Sequence, residues 1–186
     1  MKKLVLLFFS VIYSEDLSIE FPEKYFRTDH SLIDVKMTYE DFSCYLPINL
    51  KKIVSKEISL INDKVKLEEN SFHDTDILDI YKNDEETFGL SISKIRLKYP
   101  NSIFKDEYRK HIVNSYLTEN VFRFQFSLNT FEVIQYQINH SELIQLKLFL
   151  FIGDSIYSFD FLIDRNKYND YLLSIESMLS TIKKKV

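Results

Sequence analysis

The sequence predicts an α+β fold in which an antiparallel β-sheet of about six to eight strands is covered by helices on both faces, an α/β/α sandwich. Apolar runs of strand length, separated by short polar turns, fill most of the second half of the chain. One of these runs, 143–151, is apolar on both faces, which is typical of a central strand with a cover on each side. Helical stripes at 101–116 and 167–184 can supply the two covers.

Two strands are predicted near the start of the domain. Residues 32–39 alternate apolar with polar side chains, as a half-buried strand does. The pair Glu40-Asp41 then turns the chain into a second strand, Phe42 to Leu46, which Pro47 ends. Cys44 shares one face of that strand with the residues at its two ends, and we therefore expect a buried, inert thiol.

The middle of the chain is less uniform. Residues 49–70 fit either a helical stripe or a β-hairpin, and we favour a strand pair over 57–68. A polar loop is expected at 71–76, followed by a short strand at 77–81. After a turn, a longer strand is expected at 87–97.

A helix is predicted to begin at Pro100, because the sequence Pro-Asn-Ser is a helix start. Its apolar face recurs every four residues, at Phe104, Tyr108, Ile112 and Tyr116. Strands with polar turns between them follow at 121–128, 131–139, 143–152 and 156–163.

The end of the chain is predicted to form a hairpin turn and a closing helix. Gly153-Asp154 lies between two strands, where a tight turn requires positive backbone angles. The closing helix is expected to run from about Lys167 to Lys184. The lysine run 183–185 would then lie where cations favour the helix dipole.

Residues 1–14 have the pattern of a secretory signal peptide. Lys2 and Lys3 precede the apolar run Leu4 to Tyr13, and Ser14 is a small residue at the expected cleavage point. We therefore expect an exported protein, periplasmic or extracellular, whose mature part, 15–186, is a single α+β domain. Loss of the two lysines would lower its formal net charge from −4 to −6. The alternative is a cytosolic protein with a hydrophobic first strand.

The composition argues against two classes of function. The chain holds 28 acidic against 24 basic residues, a balance that disfavours binding to nucleic acid. The chain also holds only two glycines, which argues against a glycine-rich phosphate loop and against a dinucleotide-binding loop. We expect no cofactor, and no membrane span after the signal peptide is removed, since the apolar run is too short to cross a bilayer.

The order of elements resembles the PsbP/DcrB-like superfamily. The resemblance covers roughly residues 40–184. It rests on the strand FSCYLP, the strand-to-helix passage from Thr87 to Leu117, the hairpin-rich run FEVIQYQI and ELIQLKLFLFIGDSIYSFDFLI, and the closing helix YNDYLLSIESMLSTIK. It implies a small exported α/β/α sandwich that acts as a non-catalytic binding or accessory module rather than as an enzyme.

The densest polar cluster is SFHDTDILD. His73, Asp74 and Asp76, with Asp79 further on, could supply imidazole and carboxylate ligands to a divalent metal. The spacing matches no compact metal motif, and a solvated acidic loop is the simpler interpretation.

Other polar residues give weaker signals. His30, His111 and His140 are scattered along the chain, and the last lies in a predicted turn between strands. Asp160 interrupts an apolar strand and is expected to face Arg123 or Lys147 across the sheet. We assign no catalytic, cofactor-binding or metal-binding residue from these patterns.

The sequence therefore favours an exported, non-catalytic binding or accessory protein of the bacterial cell envelope. Its expected partner is an envelope protein or a small ligand. The alternative is a metal-dependent hydrolase or metal carrier that uses His73, Asp74 and Asp76.

Overall fold

The computed structural model describes residues 22–53, 73–98, 100–116 and 120–185. Two short 3₁₀ turns, His30–Leu32 and Arg165–Lys167, precede a strand and a helix respectively. The helices and strands of these ranges are β1 (Ile33–Thr38), β2 (Phe42–Pro47), β3 (Lys51–Lys52), β4 (His73–Lys82), β5 (Phe88–Leu97), α1 (Asn101–Ser115), β6 (Val121–Leu128), β7 (Phe131–Asn139), β8 (Leu143–Ile152), β9 (Ser155–Asp164), α2 (Tyr168–Ser180) and β10 (Lys183–Lys184).

Within the described ranges these strands form two antiparallel sheets. The large sheet has seven strands in the order β3-β4-β5-β9-β8-β7-β6, and the small sheet has three in the order β1-β2-β10. Helix α1 packs on one face of the large sheet. The small sheet and α2 pack together on the other face. The predicted α+β sandwich with a helix on each face is thereby confirmed.

Strand β8 is the centre of the molecule, because both of its faces are buried. Leu146, Leu148 and Leu150 belong to the apolar core beneath α2 and the small sheet. Phe149 belongs to the second core, beneath α1, where its ring centroid lies 4.5 Å from that of Tyr108. The two cores are separated only by the sheet, as the apolar pattern of 143–151 predicts.

The small sheet is anchored to the large sheet by Phe42. This side chain is fully buried, and its ring lies 4.9 Å from Tyr157 and 5.6 Å from Phe159 on β9. On its other side it stacks on Tyr39 at 4.9 Å. Cys44 follows on the same face, and burial raises the pKa of its thiol to about 12. The expected burial of the thiol is confirmed, and a neutral thiol is a poor nucleophile.

Most predicted elements lie within one residue or two of their expected bounds. Strands β6, β7 and β8 match the prediction, and α1 buries Phe104, Tyr108 and Ile112 against the sheet. Gly153 has a φ of +58° in the β8–β9 turn, a conformation that side chains disfavour.

The stretch 71–76 was expected to be a loop, and this expectation is wrong from residue 73 onward. Strand β4 begins at His73 and pairs with β5 along its whole length. The acidic residues are tolerated in the strand because each forms an ion pair with a neighbouring cation. Asp74 lies 2.6 Å from Lys98, which directly follows β5, and Asp76 pairs with Arg96 of β5.

The closing helix is shorter than predicted. Helix α2 ends at Ser180, and the hydroxyl of Thr181 donates to the carbonyl of Met178 at 2.6 Å. Lys183 and Lys184 then form β10 on the edge of β2, opposite Ser43 and Phe42. The open edge of β2 offers backbone hydrogen bonds that outweigh continuation of the helix, so the lysines do not lie at a helix terminus.

Two predictions fall outside the described residues. The signal peptide, 1–14, is one, and the strand pair at 57–68 is the other. Of the ambiguous segment 49–70, the structure describes only the first residues, which include strand β3 and the buried Leu50. No helix in the described ranges is long and apolar enough to cross a membrane.

A partly buried ion pair joins the two central strands on the α1 face. Lys147 of β8 lies directly opposite Asp160 of β9, with Nζ 2.9 Å from Oδ2. Gln145 donates to the same carboxylate at 2.8 Å, whereas Arg123 donates to Gln125 instead. Of the two predicted partners of Asp160, Lys147 is therefore the one it contacts. Burial acts to lower the pKa of Lys147, but the charges and hydrogen bonds of Asp160 and Tyr108 together outweigh burial and raise that pKa.

We expect Asp160→Asn to lower the free energy of unfolding by about 2 kcal/mol, because it leaves the Lys147 ammonium group without its counter-charge. The double variant Lys147→Met/Asp160→Leu should recover to within about 1 kcal/mol of the original chain. Urea unfolding measures both. Lys110→Met, which breaks an exposed pair with Glu107, is the control and should change little. An unchanged urea midpoint for Asp160→Asn would show that the pair contributes no stability.

Candidate functional site

The outer side of the small sheet carries an open groove of about 500 Å³, here called the small-sheet groove. It lies where the chain enters β1, next to the end of α2. Four stretches of chain line it with hydroxyl, ammonium and aromatic groups: Thr28 and His30 before β1; Ile33, Asp34 and Lys36 on β1; Ser43 and Tyr45 on β2; and Ser180, Thr181 and Lys183 at the end of the chain.

A β-bulge in β1 shapes the groove. Ile33 pairs with Pro47 and Lys36 pairs with Tyr45, so β1 has one residue more than β2 between these two positions. The extra residue falls at Asp34-Val35. A bulge bends its strand and re-aims the side chains around it, which is why bulges are frequent beside binding sites.

Hydrogen bonds from the end of α2 hold the other walls in place. The backbone N–H of Tyr45 donates to Thr181 Oγ1 at 2.9 Å, which joins β2 to the residues after the helix. Thr28 and Ser180 share a hydrogen bond between their hydroxyls at 2.6 Å. The backbone N–H of Asp29 donates to Ser177 Oγ at 3.0 Å. The segment before β1 is thus fixed to the helix end, and the groove has a defined shape.

Several side chains of the groove are exposed enough to meet a ligand, among them Tyr45, Lys36 and Lys183. The ring of Tyr45 is 39% exposed. Lys36 lies beside it on β1, and both residues point away from the buried face of the small sheet. The groove therefore presents an aromatic surface next to a cation, a combination that binds small polar ligands.

The predicted metal ligands are not brought together. His73 is buried on the α1 face, with its ring 5.5 Å from Phe104 and 6.2 Å from Tyr108. Asp74 and Asp76 take part in the ion pairs with β5 described above. Consecutive residues of a strand point to opposite faces, so the imidazole and the carboxylate of Asp74 diverge. In the described ranges no three possible ligands cluster closely enough to hold a metal ion.

Asp79 belongs to a buried network that the sequence reasoning missed. A bulge between Ile77 and Asp79 turns its carboxylate toward the core of the small sheet. Tyr39 donates to it at 2.8 Å and Tyr81 at 3.1 Å, and Lys52 forms an ion pair with it. Burial, aided by the Asp79 bond, raises the pKa of Tyr39. The bulge that orients Asp79 has no local sequence signal.

The four histidines lie in three different places. His30 lines the small-sheet groove. His111 lies on α1, next to the ring of Tyr108, which also contacts His73. His140 occupies the β7–β8 turn, as predicted, where its ring lies 5.7 Å from that of Tyr116. The histidines therefore do not converge on one site.

His73 should make stability depend on pH. Burial, with Lys147 nearby, lowers its pKa to about 4 from an ordinary value of 6.5. The unfolded chain therefore binds an additional proton between pH 6.5 and pH 4, and stability falls as the pH falls through this window. We expect His73 to account for a loss of about 2–3 kcal/mol by pH 4.

Urea unfolding of His73→Phe at pH 7, 5.5 and 4 measures this contribution. The variant should lose less stability on acidification than the original chain, because phenylalanine does not titrate. His140→Asn is the control and should follow the original chain. Parallel pH profiles for His73→Phe and the original chain would contradict the assignment.

Comparison with known proteins finds similar solved structures at low sequence identity. No protein-family model matches the chain, and no curated protein does. The chain is similar to the solution structure of cyanobacterial PsbP from Synechocystis sp. PCC 6803, with 9% identity, a TM-score of 0.46 and coverage of 92% of this chain and 98% of that one. It is also similar to a crystal structure from Bacteroides thetaiotaomicron, with 11% identity, a TM-score of 0.40 and coverage of 78% of this chain. The chain spans 45% of the length of that Bacteroides protein.

Proposed function

We propose that the chain is an exported binding or accessory protein of the bacterial cell envelope, of the PsbP/DcrB-like type, and that the small-sheet groove is its binding site. The observation that carries the proposal is the groove itself, which combines an exposed ring at Tyr45 with hydroxyl and ammonium donors. Hydrogen bonds at the end of α2 hold Thr28 and the backbone of Tyr45 in place. The bound partner is a small ligand or a segment of an envelope protein.

The size and composition of the groove support a binding role. A volume of about 500 Å³ falls within the range of pockets that hold small molecules. The hydroxyl groups of Ser43 and Tyr45 can donate and accept, so they can bond to a polar ligand as it leaves water. Thr181 accepts from the backbone of Tyr45 while donating to Met178, so this part of the wall is organised before a ligand arrives.

The proposed location rests on the start of the chain. Lys2 and Lys3, an apolar run and Ser14 make up the three parts of a signal peptide. The sequence pattern between residues 40 and 184 resembles the PsbP/DcrB-like superfamily, and the α+β sandwich agrees with the fold that this type implies. An accessory role in the envelope is the role that this type implies.

A thermal-shift panel tests the binding site. The panel holds sugars, sugar phosphates, amino acids and short peptides, the building blocks of a cell envelope. We expect at least one member to raise the Tm by about 2–4 °C at saturating concentration. Tyr45→Ala should abolish this shift, since it removes the exposed ring but keeps the backbone bond to Thr181.

Val113→Ala is the matched control, because Val113 is a comparably exposed apolar residue on α1, on the opposite face of the large sheet. It should leave the shift intact. A panel without any stabilising member, or one whose shift survives Tyr45→Ala, would contradict the groove as the binding site.

N-terminal sequencing of the natural protein tests export. We expect the mature chain to begin at Glu15, after loss of residues 1–14. Recovery of the protein from the periplasmic or extracellular fraction should accompany this start. A chain that keeps Met1 or Lys2 and remains in the cytosol would contradict export but would leave the proposed binding site unaffected.

A further inference from the structure

Two lysines flank the exposed tyrosine of the small-sheet groove. Lys36 of β1 lies opposite Tyr45 of β2, and Lys183 of β10 lies opposite Ser43, two residues along the same strand. The central strand of the small sheet thus has an exposed ammonium group on each side. Both groups line the groove.

These two lysines have no counter-charge in the described part of the chain. No carboxylate oxygen of those residues lies within 4 Å of either Nζ. Lys94 on β5, by contrast, lies 2.7 Å from Glu40 and 3.9 Å from Asp41. Asp34 is the acid among the described lining residues, so the groove keeps a positive balance in a chain of net charge −4. Such a local balance attracts an anion.

The donor set favours a phosphate over a carboxylate. A carboxylate is planar and is best matched by the fork of an arginine, and the described lining holds no arginine. A phosphate is tetrahedral and offers several acceptor oxygens, which suit separate point donors such as ammonium and hydroxyl groups. Ser43 supplies a hydroxyl beside Lys183, and Tyr45 supplies one beside Lys36.

The groove is larger than an inorganic phosphate needs. About 500 Å³ leaves room for a sugar or polyol attached to the phosphate, and the ring of Tyr45 offers it an apolar surface. We propose that the small-sheet groove binds a soluble phosphorylated sugar or polyol, with Lys36 and Lys183 as the contacts to its phosphate group. This inference rests on the proposed function of the groove and names the class of its ligand.

Isothermal titration calorimetry with glucose 6-phosphate and glycerol 3-phosphate tests the inference. We expect both to bind, and glucose and glycerol to bind at least tenfold more weakly. Lys36→Gln and Lys183→Gln should each weaken binding by about tenfold, because each loses a hydrogen bond to a charged group. Asp34→Asn should strengthen binding, because it removes the acid that opposes the anion.

Lys110→Gln is the matched control. It makes the same change in net charge on an exposed lysine of α1, away from the groove, and should leave the affinity unchanged. Melting curves check that each variant is folded. If Lys110→Gln and Lys36→Gln weaken the affinity equally, the effect comes from the overall charge of the protein, and the inference is overturned.

Other outcomes separate this inference from the proposed function. If a neutral sugar or a peptide from the panel binds in a manner that depends on Tyr45 while the phosphates do not bind, the ligand class is wrong and the binding site stands. If the chain binds phosphatidylglycerol vesicles but not glycerol 3-phosphate, the ligand is a lipid headgroup, and the proposal of a soluble phosphorylated ligand is wrong. If nothing binds in the groove, both proposals fail.

Discussion

The whole structure depends on the burial of β8 on both of its faces. A strand with Leu148 on one side and Phe149 on the other cannot leave either side in water, because each large apolar side chain costs about 1.5–3 kcal/mol when exposed. The chain therefore has to build two covers. Helix α1 is long enough to close one face with Phe104, Tyr108 and Ile112. The other face is covered by α2 together with the small sheet.

The groove lies where the small sheet meets the end of α2. The small sheet is attached to the core by its inner residues, with Phe42 against β9, and its outer face remains in solvent. Apolar residues of α2 pack in one core with the inner face of the small sheet, and hydroxyl groups at the end of α2 hydrogen-bond to Thr28 and to the backbone of Tyr45. The bulge in β1 lies among the residues that line the groove. The small-sheet groove therefore lies between the small sheet and α2, which together cover one face of the large sheet.

Much of the fold could be predicted because the relevant signals are local. Apolar periods mark β6 to β9, and the charge of Asp160 in an apolar strand predicts a cationic partner on the sheet, Arg123 or Lys147, of which Lys147 is the one observed. The errors arise where tertiary contacts override local pattern. Strand β4 begins at His73 because β5 supplies cations to its acids, and the terminal lysines leave the helix because β2 has an open edge. The groove escaped prediction for the same reason: its walls come from positions as distant in sequence as Thr28 and Thr181, and a β-bulge has no sequence signature here.

We propose that ligands bind at the small-sheet groove and not beneath α1, where the buried His73 and the partly buried Lys147 lie. Amide chemical shifts recorded by NMR during a titration with glycerol 3-phosphate locate binding residue by residue. We expect the largest, saturable changes in amide chemical shift at Tyr45, Thr181 and Lys183. Changes centred on Tyr108 and Lys147, with the groove amides unmoved, would contradict it.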